Sequence, residues 1–235
     1  NVGEIRGGFS GTLNNPLRLG DEFQVLAMQS QGALLRYGSV GYSLPIHRSN
    51  LRAFASYAEA RFEVGSGPFA GFIDGKNKVL RAGLEMPLWQ DTRGGVDGYL
   101  AVKDVSADTD QFGLSTRGTD ITLLEAGATY TRSLPNGARS RVALNLSSNF
   151  RKQSEAALLA GSEPGKHQRF RMGVDAQHRQ PLGGFALTGR LSGVLSPDRL
   201  VDTELFYIGG PDSVRGYPSA EARGDYGVVG ALVLS

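Results

Sequence analysis

Arg215, set between Val214 and Gly216-Tyr217, is the side chain whose chemistry stands out. It lies in residues 206–227, FYIGGPDSVRGYPSAEARGDYG, a stretch too long and irregular for a hairpin turn. A guanidinium keeps its charge and presents a planar fork that suits a carboxylate. Its chemistry is therefore ion pairing, not proton transfer. Taken alone, a loop arginine is most often exposed to solvent. The Gly209-Gly210-Pro211-Asp212 start is a strong structure breaker, and a connection of this length is usually functional or disordered. Its aromatic content argues against disorder. Catalytic alternatives are thin. His47, His167 and His178 show no metal-ligand spacing. There is no G-x-S-x-G elbow, and no G-K-[ST] follows Gly209-Gly210-Pro211, so neither an esterase nor a nucleotide site is expected. No enzyme activity, metal or cofactor is expected.

The elements around this stretch read as β-strands, because apolar residues recur with a period near two. Ile5, Phe9 and Leu13 oppose Arg6, Ser10 and Thr12; Phe54, Ala58, Ala60 and Phe62 oppose Tyr57, Glu59, Arg61 and Glu63; Val142, Leu144 and Leu146 oppose Arg141, Asn145 and Ser147. About eleven strands are expected, at 3–14, 21–30, 34–45, 51–64, 78–87, 96–107, 120–134, 139–150, 167–180, 185–196 and 227–235. Most exceed the ~5–6 residues of globular strands and approach the ~9–11 that cross a bilayer at a tilt. Charges sit deep in the polar face: Glu59, Arg61, Glu63, Arg81, Glu85, Arg141, Arg169, Arg171, Asp175 and Arg190. In a soluble sandwich that face meets water. In a membrane barrel it lines a wet lumen, and its mild basic bias suits a polar conduit.

The connections favour the barrel. Those after alternate strands carry Pro16, Pro45, Pro87, Pro135 and Pro181 and are mostly short; from Pro45 onward the spacing is 42 to 48 residues. The intervening connections, 65–77, 106–119, 151–166 and 206–227, are long; the one after the second strand, near Gln31-Gly32, is the exception. Short turns on one side and long loops on the other is the outer-membrane pattern, which places 206–227 on the extracellular side. A four-stranded propeller blade shares the period but needs shorter strands. Trp89 beside Pro87 suits a periplasmic aromatic girdle.

Composition sets the outer limits. Gly is 33 of 235 residues, about twice its usual share. Cys is absent, which excludes disulfides and thiolate sites. A net charge of +2, spread along the chain, gives no basis for binding nucleic acid. No apolar run approaches the ~18 residues of a membrane helix. The chain opens without a signal peptide and reads as part of something longer.

GGPDSVRGY followed by GDYG resembles the signature loop of two-partner-secretion transporters, the haemolysin or haemagglutinin secretion/activation proteins related to the barrel assembly factor. Residues 15–21, NPLRLGD, resemble that family's NPLGLGD turn, with Arg18 where Gly is usual. The resemblance implies an all-β, transmembrane antiparallel β-barrel of the Gram-negative outer membrane. The chain would supply strands two to twelve of a sixteen-stranded barrel. The first strand, the last four and two upstream POTRA domains would lie outside it. It further implies that 206–227 folds back into the lumen. There Arg215 pairs with an acidic residue of the inner wall beyond this sequence, Gly216 makes the tight tip and Tyr217 packs on the wall. The implied function is passage of an unfolded exoprotein, a β-helical cargo, to the cell surface without ATP. The implied partners are that cargo and outer-membrane lipid, with no nucleotide or nucleic acid. A barrel assembly or insertion factor, an autotransporter barrel and a passive porin are the alternatives.

Overall fold

The computed structural model describes residues 5–46, 50–65, 70–150, 154–157, 170–209 and 222–235. Its strands are β1 (Arg6–Asn14), β2 (Glu22–Ser30), β3 (Leu35–Pro45), β4 (Arg52–Glu63), β5 (Ile73–Asp91), β6 (Gly94–Gln111), β7 (Leu114–Ser133), β8 (Arg139–Asn149), β9 (Ser154–Ala157), β10 (Arg171–Leu182), β11 (Phe185–Leu195), β12 (Phe206–Ile208), β13 (Ala222–Gly224) and β14 (Gly227–Leu234). The main sheet runs β1 through β8, then β10, β11 and β14, with β9 beside β7; β12 and β13 form a separate pair. Each of the eleven expected strands has a counterpart in that path. No helix among the described residues is long and apolar enough to cross a membrane, which says nothing of crossing by strands.

Three expectations need correction. The connection expected at 106–119 is mostly strand, because β6 and β7 continue to a two-residue turn at Phe112-Gly113, both with positive φ (55° and 73°). Pro87 and Pro181 lie inside β5 and β10, not in turns. Pro181 pairs with Ala186 next to the Gly183-Gly184 turn, where the ladder ends and a missing N–H costs little. Trp89 remains near the end of β5 and is exposed.

The chain divides into two compact units, and the faces of each follow from register. The first comprises Asn1–Leu84, Ala101–Leu124 and Asn149–Gly165. Phe9 pairs with Ala27, Ala27 with Gly38, and Gly38 with Glu59, so these residues share one face. Leu13, Val40, Tyr57 and Arg61 lie on it too. Phe9 is 65% exposed and Leu13 60%. A solvent-exposed face that is apolar is the reverse of a soluble sheet and what lipid requires. On β5, Lys76 joins this face through its ion pair with Glu59, and exposed Leu80 and Leu84 follow at alternate positions. Arg81 is on the opposite face, with its guanidinium 5.0 Å above the Phe54 ring.

Glu59, Arg61 and Glu63 therefore do not share a face with Arg81. The expected lumen residues of β4 and β5 thus do not all share one face. On the face of Tyr57, the charges of β4 gather at the loop end of the strand, beyond Ala53 and Ala55, so polarity there reports height along the strand and not side. Arg169 lies outside the described residues.

The second unit comprises Glu85–Leu100, Glu125–Ser148 and Lys166–Ser235. Here polarity and side agree. Arg141 pairs with Gln177 and Gln177 with Arg190; Asp175 pairs with Ser192, and Arg171 with Ser147. The opposite face carries Leu144, Val174, Leu191 and Leu195, of which Leu195 is 55% exposed. Glu85 stands four residues beyond Arg81 on β5 and so on the same side of that strand.

Candidate functional site

The irregular stretch that drew attention in the sequence is tied down at its root. Beyond β11, the Ser196 hydroxyl lies 2.7 Å from the Phe170 carbonyl oxygen, and the Phe170 N–H donates to the Asp198 carboxylate at 2.9 Å. The Leu200 N–H donates to the Asp225 carboxylate at 2.7 Å, which links the outgoing limb of the stretch to the returning one. Leu200 and Val201 are buried beside this bond. The two limbs then pair directly: Phe206, Tyr207 and Ile208 of β12 face Gly224, Arg223 and Ala222 of β13. The Phe206 ring sits where a side chain at Gly227 would be, 2.5 Å from the position of a Cβ there. That close approach is why the first residue of β14 is glycine. Val214, Arg215, Gly216 and Tyr217 lie outside the described residues.

One polar-face side chain holds this root to the sheet. A short 3-10 turn, Asp202–Glu204, places Glu204 against β10, where it is 5% exposed. The Arg171 Nε–H donates to the Glu204 carbonyl oxygen at 3.1 Å, and its carboxylate is 3.9 Å away. Another guanidinium nitrogen donates to Asn145 Oδ1 at 3.1 Å. Arg171 thus bridges β8, β10 and the base of the long connection. The sequence marked Arg171 only as a lumen charge, and nothing in the local pattern around Glu204 signalled burial. Asp175 accepts a 2.7 Å bond from the Ser192 hydroxyl. Arg141 and Arg190 flank Gln177 in one cross-strand row.

A second built feature is the 15–21 turn. Asp21 is 2% exposed. Its carboxylate accepts the Tyr42 hydroxyl at 2.8 Å and the N–H groups of Leu17 and Leu19 at 3.3 Å. The Asn15 side-chain oxygen accepts the Gly20 N–H at 2.7 Å, and Arg52 reaches the Gly20 carbonyl oxygen at 3.3 Å. Burial raises the Asp21 pKa, but the bonds from Tyr42 and the backbone amides outweigh it, so the carboxyl lies below its usual value. A depressed folded pKa adds stability that is present above the unfolded pKa, near 3.9, and lost as pH falls through the folded one. Detergent-solubilised protein should therefore keep its urea resistance above about pH 4 and lose part of it as the pH falls further. Asp21→Asn should flatten this part of the profile; an unchanged profile would count against the turn's role.

Arg18 explains itself in the same turn. Its φ is +62°, a conformation that costs an L-residue about 1 kcal/mol and costs glycine little. Arg18→Gly, which restores the family's usual residue, should raise the unfolding midpoint, with a gain of about 0.5–1 kcal/mol after the added freedom of the unfolded chain. No gain, or a loss, would show that the arginine side chain compensates for its backbone.

Among the described residues no cluster of His, Asp and Glu could hold a metal ion. A family model described as haemolysin secretion/activation protein ShlB/FhaC/HecB matches residues 1–230. No curated protein matches the chain. Among solved structures, CdiB from Escherichia coli is similar with a TM-score of 0.81 at 18% identity, over 99% of this chain and 45% of that one. CdiB from Acinetobacter baumannii is similar with a TM-score of 0.70 at 18% identity, over 97% and 42%. The chain spans less than half the length of these structures, and at this identity the likeness speaks for the fold.

Proposed function

Because the chain belongs to the haemolysin secretion/activation protein family ShlB/FhaC/HecB, β-barrels of the Gram-negative outer membrane, we propose that it is the barrel part of a two-partner secretion transporter. In this reading an unfolded exoprotein passes through the barrel to the cell surface without ATP, and folding of a β-helical cargo outside drives it. The chain supplies strands two to twelve of the family barrel, and POTRA domains upstream receive the cargo. The observation that supports the reading is the long connection whose root is paired, buried and clamped to a polar sheet face by Arg171. A passive pore has no need of such an element.

The connection is a two-state element in this proposal: docked, it closes the barrel, and cargo shifts it. Val214, Arg215, Gly216 and Tyr217 form its tip, and the co-facial Arg141, Arg171, Asp175 and Arg190 line the passage. The test is secretion of the partner exoprotein by cells carrying the intact protein. Arg215→Ala should reduce secreted cargo about tenfold, the scale of losing one charge-assisted pair of about 1.5 kcal/mol, while barrel remains in the membrane. Secretion and heat resistance both equal to wild type would remove the tip from the mechanism.

A further inference from the structure

The loop ends of β3, β4 and β5 carry charge on the face that is otherwise exposed and apolar. On β5, exposed Leu84 and Leu80 are followed outward by Lys78 and Lys76. On β3, Val40, 44% exposed, is followed by Gly38 and Arg36; on β4, Tyr57 is followed by Glu59 and Arg61. Alternate residues rise by about 6.6 Å, so the cations begin one step above the apolar stretch, with Tyr57 at the boundary. The connections these strands lead to lie opposite the 15–21 turn, the side that the outer-membrane reading makes extracellular.

The cations exceed their local counter-charge. Arg36 and Arg61 are direct cross-strand partners, an arrangement in which like charges repel. One carboxylate, Glu59, serves the group: the Arg61 Nε–H donates to it at 2.6 Å, Lys76 Nζ is 3.4 Å away, and the Tyr57 hydroxyl donates at 2.7 Å. Glu63 and Asp74 share the face one step nearer the connections, beyond the cations. We infer that Arg36, Arg61 and Lys78 bind the phosphate of an outer-leaflet lipid headgroup whose acyl chains lie along Val40, Leu80 and Leu84. Guanidinium forks match phosphate oxygens, and lipid places phosphate at the height where these side chains stand. The inference rests on the outer-membrane placement and is independent of the secretion reading.

The experiment uses the intact protein in mixed micelles with a diphosphorylated acylated glycolipid, the same glycolipid dephosphorylated, or inorganic phosphate. The diphosphorylated lipid should raise the midpoint of heat-induced unfolding by roughly 5 °C, and the other two should leave it unchanged. Arg36→Gln combined with Arg61→Gln should remove most of that rise, and Lys78→Gln part of it, with lipid-free midpoints close to wild type. If the double variant folds poorly, Lys78→Gln carries the test alone. An equal rise in the variants, or the same rise with dephosphorylated lipid or with inorganic phosphate, would overturn the site. Cargo secretion by the same variants is a separate measurement, so failure here and failure of the secretion reading are told apart.

Discussion

Arg171→Ala in the intact protein is expected to free the base of the long connection and to lower stability by about 2–3 kcal/mol. The substitution deletes the donor to the Glu204 carbonyl oxygen and the cation beside the Glu204 carboxylate, in a place where Glu204 is 5% exposed. It also leaves Asn145 Oδ1 without that bond. Arg171→Lys should recover little, because one ammonium cannot hold groups on two elements in a fixed fork. Arg190→Ala is the control, since Arg190 shares the polar face and an equal charge but makes no contact with the root of the connection among the bonds described. The measurement is the heat-modifiability midpoint together with protease cleavage near Gly209. If Arg190→Ala and Arg171→Ala behave alike, Arg171 is only a charge of the passage. If Arg171→Ala alone destabilises and exposes the root, its clamp role stands, and a cycle with Glu204→Gln should return a coupling of about 1–3 kcal/mol.

Much of this architecture was legible because a strand writes its two faces into alternate residues. The period-two pattern placed all eleven strands of the main path, and in β8, β10 and β11 it also sorted the faces: Arg141, Asp175 and Arg190 stand together with Leu144, Val174 and Leu191 opposite. The pattern failed where polarity varied along a strand instead of across it. Glu59 and Arg61 looked like companions of Arg81, yet register puts them on the face that carries Phe9 and Val40. Register is a relation between strands, and no single strand encodes it. Likewise 106–119 looked like a loop because Asp and Gly are poor strand formers, but pairing between β6 and β7 carries them to the turn at Phe112-Gly113. The Asp21 site was half visible, as a motif without its Tyr42 partner twenty-one residues on. The Arg171 clamp was not visible, since its partner comes from a segment thirty-three residues away with no pattern of its own.

The glycine content carries a further consequence, and Gly94→Ala is expected to be among the most damaging small substitutions in the chain. Gly94 opens β6 directly after a two-residue turn. The Asp91 carboxylate holds that turn by accepting the N–H groups of Arg93 at 2.6 Å and Gly94 at 2.8 Å. Its other oxygen takes the Arg132 guanidinium at 2.7 Å, and Arg132 also lies 5.9 Å from the Trp89 ring centre. A Cβ on Gly94 would overlap the Thr131 carbonyl oxygen and sit 2.9 Å from the Thr131 carbonyl carbon and 3.0 Å from Arg132 Cα. These are backbone atoms of a paired strand and cannot swing aside as a rotamer can. The Ser133 N–H to Arg93 carbonyl bond, 2.7 Å, fixes the same approach from the other direction. Relief requires β6 and β7 to part at this end, which breaks the Asp91–Arg132 pair as well, a cost of about 3 kcal/mol or more. Gly98→Ala separates this effect from a general intolerance of glycine replacement. Its Cβ would meet the Leu88 side chain at 2.8 Å, and that side chain can turn away. The amount of heat-resistant barrel recovered from membranes should fall sharply for Gly94→Ala and stay near wild type for Gly98→Ala. Equal recovery would mean that the short turn yields, and that the glycine there answers to composition and not to contact.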